Sequence, residues 1–126
     1  MISNPKHGWC DFNLKSFYGS PSYLTDVPVD LLNAFIQYHS TGTGIACFDE
    51  EGSEFTLVIT PYYLFIIEEK DEPVLNDFSE INIDNLEKEL IEDIEKDLTG
   101  WSEFITDDDR EEVIIHRNEI MNKIAM

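Results

Sequence analysis

Basic side chains are scarce in this chain. Lys and Arg together number 8 against 27 Asp and Glu, a formal net charge of −19. A protein that grips a nucleic-acid backbone needs a basic footprint to displace counterions. The deficit therefore excludes direct DNA or RNA binding, and it also opposes docking on an anionic membrane. Long hydrophobic runs are missing too. The longest strongly apolar stretch is Tyr62 to Ile67, far short of the roughly 18 residues that span a bilayer. The start, Met1-Ile2-Ser3-Asn4-Pro5-Lys6-His7-Gly8, has no apolar run after a basic opening, so no secretory signal is expected. Cysteine is limited to Cys10 and Cys47, a spacing that matches no metal or redox motif. Two reduced core thiols in a cytoplasmic protein are the expectation.

Catalytic patterns are also absent. There is no Gly-rich phosphate loop, no G-x-S-x-G, no H-E-x-x-H and no zinc spacing. The three histidines, His7, His39 and His116, are scattered. His116 lies one helical turn from Glu112 and from Glu119, which could form a metal corner, but a solvated histidine on a charged helix is the simpler reading. Asp107-Asp108-Asp109 lacks the alternating ligands and glycine of a calcium loop. The expectation is a protein that is not an enzyme and holds no cofactor and no metal.

What is present is enough for a core. Leu, Ile, Val and Phe make up about 30% of the 126 residues, above the roughly 20% below which a highly charged chain stays disordered. One domain over 1–126 is expected, burying about two-thirds of its unfolded surface. Cys10, Phe12 and Leu14 alternate within Trp9 to Tyr18, a weak strand signal. A helix follows, with Pro28 at its first position, Leu31, Leu32, Phe35 and Ile36 at helical spacing, and Gly42 or Gly44 as its stop. The middle reads as a meander of Ile45 to Asp49, Glu54 to Thr60 and Tyr63 to Glu69, turning at Gly52 and at Pro61-Tyr62. The third strand is apolar on both faces, which predicts a central strand covered on both sides. Tyr62 and Tyr63 read as core aromatics beside a turn, with a partner-facing pair as the alternative.

A helix with Asp84 and Glu87 as a capping box carries Leu86, Leu90, Ile91, Ile94 and Leu98 and ends at Gly100. Trp101, Phe104 and Ile105 fold back as anchors, and a last helix starts near Asp107-Asp108-Asp109. The expected fold class is α+β: an antiparallel three- to four-stranded meander packed by three helices, in the order β-α-β-β-β-α-α.

The charge is not spread evenly. Residues 1–48 hold two basic and three acidic side chains, net −1, whereas residues 49–126 hold 6 basic and 24 acidic, net −18. If the two hairpins turn where expected, Asp49, Glu50, Glu51, Glu54, Glu68, Glu69, Asp71 and Glu72 converge at one end of the sheet, with Lys70 the only cation nearby in sequence. Two like charges about 6 Å apart repel by roughly 1 kcal/mol at an intermediate dielectric. On the next helix, Glu89, Asp93 and Asp97 form an i, i+4, i+8 row without an intervening cation. These eleven residues are the candidate partner-binding set. A solvated acidic rim is the plain alternative.

The segments Tyr23-Leu24-Thr25-Asp26-Val27-Pro28-Val29-Asp30-Leu31-Leu32-Asn33-Ala34-Phe35 and Phe48-Asp49-Glu50-Glu51-Gly52-Ser53-Glu54-Phe55-Thr56-Leu57-Val58 resemble small acidic immunity proteins of bacterial polymorphic-toxin systems, those of contact-dependent growth inhibition above all. The resemblance is one of size, composition and layout over most of the chain. It implies a cytoplasmic protein that binds one cognate basic toxin domain, often a nuclease, and blocks it. It carries over no site residue. An acidic adaptor or regulatory interaction module unrelated to toxins is the other reading of the same features.

Overall fold

The structure, a computed structural model, describes residues 1–126. Three short strands open it: β1 (Ile2–Lys6), β2 (Trp9–Leu14) and β3 (Phe17–Gly19), antiparallel in the order β1-β2-β3. Helix α1 (Val27–Thr41) leads into β4 (Gly44–Asp49), β5 (Glu54–Ile59), β6 (Leu64–Glu69) and β7 (Val74–Asp77), an antiparallel meander in sequence order. Helices α2 (Ile83–Lys96), α3 (Leu98–Ser102) and α4 (Arg110–Ile124) complete it. The fold is an α+β arrangement of two antiparallel sheets and four helices. The expected order is thus kept in outline and enlarged: the first strand is a three-stranded sheet, the meander gains β7, and the helix expected to run to Gly100 breaks at Asp97 into α2 and α3.

Local chemistry explains the boundaries. Pro28 sits in the first turn of α1, where its missing N–H costs nothing, and Gly42 closes the helix with φ +85° while its N–H donates to the Tyr38 carbonyl at 2.8 Å. Gly44 is required by a close approach: a Cβ there would stand 1.9 Å from the Ala34 carbonyl oxygen, so α1 lies directly on β4. The N-cap of α2 is Asn82, whose side chain accepts from the Asn85 amide at 2.9 Å. Asp84 is therefore not the N-cap: it lies inside the first turn, and Asn82, just before Ile83, holds the capping position. Asp109 caps α4, accepting from Glu111 and Glu112 amides.

One hydrophobic cluster of 26 buried residues draws on both sheets and all four helices. An aromatic seam joins the sheets: Phe12 meets Phe48 and Phe55 with ring centroids 5.5 and 5.1 Å apart, and Phe17 meets Phe55 at 5.0 Å. Trp101 and Phe104 are buried in it as expected, whereas Ile105 is exposed. Cys10 is buried, but Cys47 is exposed, against the expectation of two core thiols. No helix is long and apolar enough to cross a membrane.

Candidate partner-binding site

Strand register decides what meets what. Along β4, β5 and β6, Phe48, Phe55, Leu57, Ile59, Leu64 and Ile66 point inward and are almost wholly buried. The alternate residues form rows on the opposite face: Ile45–Val58–Phe65–Asp77, then Cys47–Thr56–Ile67–Leu75, then Asp49–Glu54–Glu69. Helix α1 and the N-terminal sheet occupy the inner side, and no element packs on the outer one. The expectation that β6 is covered on both faces is thereby corrected. It is an interior strand of the sheet, but its second apolar face, Phe65 and Ile67, is only half-buried by its own neighbours. Tyr62 and Tyr63 are likewise exposed rather than core.

The carboxylates of the sheet meet at one end. Asp49 is paired with Glu54, and Glu54 with Glu69, which places opposite Cα atoms about 4.5–5.5 Å apart. Glu68 lies on the inner pleat beside Phe55 and is held by the Asn76 amide nitrogen (3.1 Å) and Lys70 Nζ (3.4 Å). Glu50 accepts from the Ser20 amide at 2.8 Å and from the Ser53 hydroxyl at 3.2 Å, and Asp49 from the Glu51 amide at 2.6 Å. Those three carboxylates shape the hairpins. Glu51, Glu54, Glu69, Asp71 and Glu72 are exposed and accept no hydrogen bond from the protein.

The row on α2 belongs elsewhere. Helix α2 packs on β1 and α3, and the Met1 ammonium lies 3.0 Å from Glu89 and 2.7 Å from Asp93, with the Ile2 amide also donating to Asp93 at 3.2 Å. Asp97 caps α3 by accepting from the Gly100 amide at 3.0 Å. The expectation of a row without a cation is corrected: Asp93 meets the Met1 amino group, 92 positions away in sequence, and also Lys96 Nζ at 3.9 Å, three residues on.

Two further clusters escaped sequence reasoning. His116 is 3% exposed, not solvated, and points away from any metal corner. Its Nδ1 donates to the Ser102 carbonyl at 3.0 Å and its Nε2 to the Asp26 carboxylate at 2.9 Å. Burial opposes its charge, but the hydrogen bonds to Asp26 and Ser102, with the charges of Asp26 and Glu119, raise its pKa above the ordinary histidine value. Asp30, beside them, is pushed up to about 6 by burial and by the charges of Asp26 and Glu119. His39, Asp84 and Glu87 bring three metal-ligand atoms within 4.8 Å of one another; His39 already contacts Glu87 at 2.8 Å, tying α1 to α2 at the surface. Every buried side-chain polar atom has a partner.

No protein-family model matches the chain, and no curated protein and no solved structure matches it.

Proposed function

We propose that this chain is an immunity-type binding protein that neutralises a cognate basic toxin domain, a nuclease in the first instance, by charge-complementary contact. On this reading it is not an enzyme, works in the cytoplasm and needs no cofactor. The observation that carries the proposal is the set of five carboxylates, Glu51, Glu54, Glu69, Asp71 and Glu72, gathered at one end of the four-stranded sheet without an internal partner. Like charges placed directly opposite one another across strands oppose folding, and a cationic macromolecule relieves that repulsion. A nuclease domain offers a cationic substrate surface, which an acidic protein occupies as a competing polyanion. Charge complementarity of this kind accelerates encounter and selects the partner more than it sets final affinity.

The direct test is co-expression with the C-terminal domain encoded by the reading frame immediately upstream. The expected result is a one-to-one complex on purification and growth of cells that the domain alone kills. A toxic domain that neither co-purifies with this chain nor is neutralised by it overturns the proposal.

A further inference from the structure

We infer that the uncovered face of the four-stranded sheet is where the cationic partner docks, its apolar rows anchoring a complex that the adjoining carboxylate row aligns. The inference rests on the function proposed above and adds the surface and its polarity.

An antiparallel sheet with one solvated face ordinarily alternates apolar and polar residues. Here the alternation fails. Ile45, Val58, Phe65, Ile67 and Leu75 share the outer face with Cys47 and Thr56, and Ile45 and Leu75 are 51% and 61% exposed. Contiguous apolar surface of this kind, exposed on a folded chain, marks an interaction site. The edge strands β4 and β7 each lack a further strand neighbour, and the Ser22–Thr25 segment closes the β4 edge only at Asp49. The Asp49 amide donates outward, to Thr25 Oγ1 at 2.9 Å, and the Asp49 carbonyl accepts from the Ser22 amide at 2.8 Å. By strand alternation the backbone groups of Ile45 and Cys47 face the same way, where β4 has no neighbouring strand.

Charge selects the occupant. The Asp49–Glu54–Glu69 row lies on this same face, one pleat repeat beyond Cys47, Thr56 and Ile67, about 7 Å along the strands. A second copy would bring another net −19 against it, and a nucleic acid or an anionic lipid surface is repelled by the same row. A protein surface with an apolar centre and Lys or Arg on one side satisfies both parts of the face. Its basic side belongs at the β4–β5 hairpin end, and its apolar centre over Phe65 and Ile67.

The face contains its own probe. Cys47 is exposed within it, whereas Cys10 is buried and its thiol is pushed up to about 12, first by burial and then by Asp11. Iodoacetamide at pH 8 therefore alkylates the folded chain at Cys47. The experiment follows that alkylation by mass spectrometry with and without the upstream-encoded domain, and measures affinity for the Ile45→Ser and Leu75→Ser variants, whose exposure leaves folding intact. Bound domain is expected to slow Cys47 alkylation, and each variant to weaken binding roughly tenfold through faster dissociation. A domain that binds with Cys47 still reactive and both variants at wild-type affinity overturns this inference while leaving the proposed function standing. A domain that does not bind removes the function and the inference together. A free protein that sediments as a dimer, protects Cys47 and dissociates on Leu75→Ser assigns the face to a second copy and overturns the inference.

Discussion

Glu51 holds a left-handed backbone conformation, φ +57°, at the tip of the β4–β5 hairpin, next to Gly52 at φ +135°. Glycine adopts that conformation freely, while a side chain there costs about 1 kcal/mol. An acidic residue kept where glycine is favoured fits a tip selected for its charge. Glu51→Gly is expected to raise the unfolding free energy by roughly 0.5–1 kcal/mol, read from urea denaturation, and to slow association with the partner. Glu54 makes a parallel case. It lies between Asp49 and Glu69 on the neighbouring strands, so Glu54→Lys replaces two repulsions by two attractions. The expected gain is about 0.5–1 kcal/mol, since cross-strand charge pairs are each worth a few tenths to one; an unchanged stability there would show that the rim is already screened by solvent.

Among the elements, α4 depends most on a single side chain. His116 links it to Asp26 at the start of α1 and to Ser102 in α3, and Asp26 makes no capping bond of its own because its carboxylate is turned to the imidazole. The titratable groups facing this contact are Asp26, Asp30 and Glu119. His116 has a raised folded-state pKa, so its contribution is complete below about pH 6.5 and is lost as pH rises through the folded value. Asp30 is also raised, to about 6 against an ordinary 3.8, so its protonated form favours folding and that contribution fades between those values as pH rises. Both act in one direction. The contribution of these two groups is expected to fall from about pH 4 upward, first through Asp30 and, above about 6.5, through His116, and His116→Gln to flatten the slope above that point and to lower stability by roughly 2 kcal/mol at the acid end. Thermal unfolding of both proteins across this range checks it; equal slopes would contradict the linkage.

The elements were unevenly legible. β5 follows from period-two alternation, β4 and β6 from short apolar runs bounded by the turns at Gly52 and Pro61, and α1 from Pro28, its apolar spacing and Gly42. β1 and β7 were not, because Ser3, Asn4 and Pro5 and the exposed Val74–Asp77 carry no alternation of their own; pairing with a neighbour makes them strands. The Asp97 break between α2 and α3 was missed because Leu98 continues the apolar spacing of α2 while Asp97 is busy capping Gly100.

At the scale of the molecule, the acidic end of the sheet was readable because two turn positions fix which strand ends coincide. The apolar outer face was not. Two apolar faces on β6 signalled coverage on both sides, and only the packing shows that the helices and the N-terminal sheet gather on one. The α2 row is hidden in part for the same reason, since the Met1 amino group reaches Glu89 and Asp93 from the other end of the chain, whereas Lys96 meets Asp93 from three residues on. Five carboxylates at one sheet end stay unpaired after these internal pairings, in a chain carrying −19 whose helices also expose free acids. The central claim, that this end receives a cationic protein, is tested most directly by the association rate constant with the upstream-encoded domain as a function of ionic strength. The wild-type protein and the Glu54→Lys/Glu69→Lys double variant, which keeps positions 54 and 69 like-charged while Asp49 gains an opposite charge, are compared. The expected result is a wild-type rate that falls steeply with salt and a variant slower by roughly tenfold or more at low salt with a shallower slope. Equal rates and equal slopes for the two proteins would contradict the claim.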